Sequence, residues 1–113
     1  MARVEVLSNL KSEILKKFKE ESKIIFRLMQ SLEEHPHKGK FLATVAGIVI
    51  KELKYKNFRF YFITDGFKLR CLDKEALVDL LFKFVRMSDK KRQQKVIEEI
   101  KQVLIKIGPK GFQ

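Results

Sequence analysis

The chain has 113 residues, 45% of them hydrophobic, and 25 lysines and arginines against 14 acidic residues give it a net charge of +11. That length makes one domain with room for a real core, and the apolar content excludes a wholly disordered chain. The charge points to a polyanionic partner: RNA or DNA, whose neutralised phosphates release counterions, or an acidic protein. A membrane surface is a weaker reading, because no run approaches the roughly 18 apolar residues a span needs. Met1 to Leu10 holds no apolar signal region, and the single cysteine, Cys71, excludes an internal disulfide. A reducing cytoplasm is the expected compartment.

Arg3 to Leu7 alternates and predicts an edge strand. Ser8 or Asn9 then suits a helix N-cap ahead of Leu10, Ile14, Leu15 and Phe18 at helical spacing. A second stripe, Ile24, Ile25, Leu28, Met29 and Leu32, ends at Pro36. One helix across that span would be about 40 Å long, more than a domain of this size is wide, so a break is expected. Ser22 is the expected cap of the second helix, and the pair should pack on one sheet face as a helical hairpin.

His35 to Lys40 forms a polar connection whose two histidines flank a proline without metal-ligand spacing. Phe41 to Ala46 should enter the sheet. The segment from His37 to Phe62 carries six basic residues against one acidic, whereas Met1 to Pro36 carries seven against six. The charge surplus therefore sits on the next two strands.

Those strands are Ile48 to about Lys54 and Phe58 to Thr64, rich in β-branched and aromatic residues. Alternation puts Phe58, Phe60 and Phe62 on a core face with Leu53. Arg59, Tyr61 and Ile63 fall on the other, with Glu52 and Lys54. Charged groups gathered there mark an expected working surface that the helices leave open.

Asp65-Gly66 between alternating runs predicts a hairpin turn. A strand from Phe67 to Leu72 should follow, with Cys71 as a small core residue. Asp73 to Met87 supports two readings. Positions 77, 80, 81 and 84 suit a helix, and a turn followed by a buried strand with Leu80, Phe82 and Phe84 on one side and Asp79 and Lys83 opposite also fits. Asp89 to Ile107 predicts a helix with Val96, Ile100, Val103, Leu104 and Ile107 as its stripe, stopped by Gly108-Pro109. No Walker, Rossmann, CxxC, HExxH or GxSxG pattern is present, which lowers the case for nucleotide-binding, metal-dependent and serine-nucleophile enzymes.

Read in this order, Gly39-Lys40-Phe41-Leu42, Gly47-Ile48, Glu52-Leu53-Lys54, Phe58-Arg59-Phe60-Tyr61 and Phe84-Val85-Arg86 resemble the motifs of the RelE/ParE toxin superfamily of type II toxin–antitoxin systems, nearest its RelE and HigB branches. The resemblance implies an α+β fold in which an N-terminal helical hairpin packs on a mostly antiparallel twisted sheet with a C-terminal helix. It places a last strand within Asp73 to Met87. It also implies a toxin that cleaves mRNA on the ribosome without a metal or other cofactor, neutralised by a cognate antitoxin.

Carried over residue by residue, the resemblance makes Arg59 the arginine on the scissile phosphate and Arg86 the basic residue ending the last strand. Lys54 stands at a basic position of the preceding strand beside Glu52, a candidate base whose simpler reading is a salt bridge to Lys54 or Arg59. Lys51, Lys56, Tyr61, Lys83, Lys90, Lys91 and Arg92 are the expected RNA-binding residues. Family members often have a Tyr or His near the start of the final helix; here Asp89 to Arg92 provide neither. That departure keeps a second reading open, a ParE-like gyrase inhibitor or a decayed toxin acting by binding alone.

Overall fold

The computed structural model describes residues 2–70 and 79–107. A five-stranded mixed sheet runs in the order β1-β5-β4-β3-β2, built from β1 (Arg3–Val6), β2 (Lys40–Val45), β3 (Ile48–Tyr55), β4 (Phe58–Asp65) and β5 (Leu81–Asp89). β1 lies parallel to β5 at one edge, and the other pairs are antiparallel. The α+β class and the N-terminal edge strand agree with the sequence reading.

Helices α1 (Ser8–Phe18) and α2 (Ser22–Gln30) are separated by a short 3₁₀ turn, Lys19–Glu21. The expected break is real, and it needs no glycine: Lys19 itself takes φ +49° and donates its N–H to the Leu15 carbonyl. Neither expected cap holds. Leu7 occupies the cap position of α1 without a side-chain bond, and Ser22 lies inside α2, where its buried hydroxyl donates to the Ile14 carbonyl and ties the two helices together.

Leu10, Ile14, Ile25, Met29 and Leu32 bury against Val49, Leu53, Phe60, Phe62, Phe82 and Phe84 on one sheet face. Removing this much apolar surface from water is the main driving force for folding. Rings interlock across it: Phe62 lies 4.8 Å from Phe84 and 5.7 Å from Phe82, centroid to centroid. These are spacings at which tilted and edge-on pairs attract.

The opposite face is covered too. Helix α4 (Gln93–Ile107) sets Val96, Ile97, Ile100 and Leu104 on Ile48, Ile50, Tyr61 and Ile63. The face expected to be open is therefore largely core, and Tyr61 is fully buried. Val103 and Ile107, assigned to the buried stripe, are about half exposed at its rim. The helix starts four residues later than expected because Asp89 still belongs to β5 and its carboxylate caps the turn, accepting from the Arg92 N–H at 2.9 Å.

Two further expectations fail. Asp65-Gly66 makes no hairpin turn: Asp65 Oδ1 accepts from the N–H groups of Phe67 and Lys68, and a short helix α3 (Gly66–Arg70) follows where a strand was expected. An aspartate before a glycine serves a helix cap as readily as a turn. Gly66 is required by close approach, since a Cβ there would come within 2.8 Å of the Gly47 carbonyl and 2.9 Å of a Val49 methyl. Of the two readings for Asp73 to Met87, the strand holds where the segment is described, with Phe82 and Phe84 buried on one side. Cys71, residues 73–78 and the Gly108-Pro109 stop lie outside the described residues. Among the described residues, no helix is long and apolar enough to cross a membrane.

Candidate phosphate-binding cleft

The pairing register of β3 and β4 sets Lys54 opposite Arg59 and Glu52 opposite Tyr61. Glu52 and Arg59 are thus diagonal neighbours on one face, within reach of long side chains. Arg59 Nε lies 3.1 Å from Glu52 Oε2 in an ion pair, and Gln93 Nε2, from the first turn of α4, donates to Glu52 Oε1 at 3.2 Å. Both members of the ion pair are largely withdrawn from water, with side-chain exposures of 11% for Arg59 and 5% for Glu52. Of the two partners foreseen for Glu52, the structure selects Arg59.

A cleft of about 510 Å³ opens over this pair, lined among others by Lys38, Lys40, Glu52, Lys54, Arg59 and Gln93. Four cations line it with one carboxylate, and that carboxylate is already engaged at one oxygen by Arg59 and at the other by Gln93. The local surplus of positive charge suits a phosphate, which a guanidinium grips with paired N–H groups and ammonium ions hold as point charges. Lys90, Lys91 and Arg92 are exposed in the link between β5 and α4, next in sequence to Gln93.

Other residues singled out by sequence are drawn elsewhere. Arg86 is bound at 3.0 Å to Glu99 on α4. A bulge explains its path: Tyr61 pairs with Arg86 but Phe62 with Phe84, leaving Val85 as an extra residue in β5. Lys83 lines an apolar groove with Leu7, Val85 and Val103, outside the cleft. Lys56, in the β3–β4 turn, pairs with Glu21 at the α1–α2 junction, where the Lys56 and then the Tyr55 hydrogen bond hold the Glu21 carboxyl below its ordinary range.

Tyr61 cannot stack on a base, since its ring is enclosed and its hydroxyl is 2.7 Å from Ser88 Oγ. Burial pushes its phenol pKa up. Lys51 points to the hairpin side of the sheet, where it is 6% exposed and donates to the His37 carbonyl. Sequence reasoning missed Lys38, Lys40 and Gln93 as site residues. The first two had a signal, a glycine between two cations; Gln93 had none.

Among the described residues, no group of three or more His, Cys, Asp or Glu could hold a metal ion. No protein-family model, curated protein or solved structure matches the chain.

Proposed function

We propose that the protein is the toxin of a type II toxin–antitoxin system, a RelE/HigB-like endoribonuclease that cleaves mRNA on the ribosome and is held in check by a cognate antitoxin. The observation that supports this reading is the cleft lined by Lys38, Lys40, Lys54 and Arg59 together with a single carboxylate, Glu52, that is already engaged by Arg59 and Gln93. The resemblance of the strand motifs to that superfamily supplies the substrate. In the proposed reaction the 2′-oxygen of the RNA attacks the adjacent phosphorus, the bond from phosphorus to the 5′-oxygen breaks, and a 2′,3′-cyclic phosphate and a 5′-hydroxyl are left.

The residues divide the work by their placement. Arg59 is held at Nε by the Glu52 ion pair and at Nη1 by the Phe58 carbonyl, so the guanidinium meets the growing phosphorane charge already oriented, with Nη2 toward it. Glu52, with both oxygens engaged, serves as the clamp for Arg59 rather than as a base. Lys54 and Lys40 are the flanking amines left to exchange protons with the 2′- and 5′-oxygens. Arg86 acts outside this group.

A specific observation also favours the binding-only reading: the guanidinium groups of Arg59 and Arg86 are each neutralised by a carboxylate, Glu52 and Glu99. Induced expression followed by primer extension on a translated message separates the two. Cleavage predicts codon-phased cuts that disappear with Arg59→Ala. Growth arrest with intact mRNA and a DNA-damage response would instead assign a gyrase-directed binder.

A further inference from the structure

Lys51 is a cation in an unusual place. It stands on β3 between Phe41 of β2 and Phe62 of β4, on the side of the sheet that the hairpin covers, and only 6% of the residue is exposed. Its Nζ donates at 3.1 Å to the carbonyl of His37. His37 belongs to the turn closed by the bond from the Lys38 N–H to the His35 carbonyl, and that turn leads directly into Lys38, Gly39 and Lys40. Lys38 and Lys40 line the cleft.

Gly39 shows how tightly this segment sits. It has φ +102°, and a Cβ would stand 3.0 Å from Phe62 Cζ and 3.1 Å from the Glu52 carbonyl. On the far side, Lys38 Nζ donates to Ser31 Oγ. The Lys51 ammonium is thus a tether from the sheet to the strip of backbone that carries two of the four cleft cations.

We infer that Lys51 is a positioning residue for the cleft, its buried ammonium holding the segment 35–40 down so that Lys38 and Lys40 face the bound phosphate. The inference rests on the cleft reading given above. Fold stability is a poor account of this contact. The bond is to a carbonyl rather than a carboxylate, and burial lowers the Lys51 pKa, so the charged form is disfavoured where it sits. An unbranched apolar side chain would fill the same channel without that penalty.

The test uses the full chain and a short labelled single-stranded RNA as the probe, with melting followed in parallel. Lys51→Met is expected to melt no lower than the unsubstituted protein and yet bind RNA roughly three- to tenfold more weakly, the scale of one lost phosphate contact. Lys51→Arg, which restores a donor, should recover part of the affinity. Lys40→Ala should weaken binding by itself, and adding Lys51→Met to a variant that already lacks both Lys38 and Lys40 should add little, because the tether acts through the residues already removed.

A further multiplying loss from Lys51→Met in the background lacking both lysines, or undiminished affinity in Lys51→Met alone, would overturn the positioning role while leaving the cleft intact. Unchanged affinity in Lys40→Ala would overturn the cleft reading and the inference with it.

Discussion

Arg59 and Glu52 form a nearly enclosed ion pair across β3 and β4, held at 3.1 Å, and Gln93 completes the carboxylate from the start of α4. The pair links the basic cleft to the packing of the C-terminal helix, so one substitution acts on both. Glu52→Gln keeps the shape but leaves the Arg59 guanidinium without a counter-ion, which should cost on the order of 3 kcal/mol of stability. It also removes the one anion that lines the cleft among the described residues, so RNA affinity of the folded fraction should rise. Arg59→Ala should lower that affinity, and denaturant midpoints with titrations of the same RNA read the opposite signs directly.

Cleft cations should be visible as a salt slope. For single-stranded RNA, each neutralised phosphate contributes roughly 0.7 to the slope of log affinity against log salt. Lys54→Ala should lower the slope by about that amount and weaken binding to all sequences alike. A slope identical to that of the unsubstituted protein would remove Lys54 from the interface.

Arg86 provides the contrast. Its ion pair with Glu99 is about two-fifths exposed on both sides, where such contacts are worth only about 0.2–1 kcal/mol. Arg86→Ala should therefore change the melting temperature little and leave RNA affinity and its salt slope unaltered. A loss comparable to that of Arg59→Ala would mean that Arg86 leaves Glu99 when RNA binds.

Tyr61 should make the fold sensitive to alkali. Its phenol pKa is raised by burial, with the Ser88 hydrogen bond acting in the opposite sense. Unfolded, a tyrosine gives up its proton near pH 10, whereas the folded protein keeps it to higher pH. The contribution is complete below about pH 10 and is lost as the pH climbs through the folded value, because the unfolded chain then binds fewer protons. Tyr61→Phe should flatten this part of the alkaline decline in denaturant midpoint.

Gly66 tests the turn that became a helix. With the Gly47 carbonyl and a Val49 methyl inside 3 Å of any added Cβ, Gly66→Ala must push β3 and α3 apart. Overpacking of this kind costs about 1–3 kcal/mol. The melting temperature should fall by several degrees, with RNA affinity of the folded protein nearly unchanged because the site lies elsewhere.

The sequence by itself determined the elements whose signal is local and periodic. Alternation at Phe58, Phe60 and Phe62 gave β4 and its buried face, and the spacing of Ile14, Ile25 and Met29 gave two helices that the domain's width required to be broken. It also located the charge surplus between His37 and Phe62, and it held both candidate roles of Glu52.

Tertiary structure decided what depends on contacts distant in the chain. Asp65 carries the same local signal for a hairpin and for a helix cap, and only the packing of Gly66 against Gly47 and Val49 chose between them. Alternation told the two faces of the sheet apart without saying that α4 would cover the second. One extra residue at Val85 turned Arg86 toward Glu99, and the register of β3 with β4 turned Arg59 toward Glu52. Periodicity records which side chains share a side of one element, whereas a cleft is made where several elements end together, and that is set by register and burial across the whole fold.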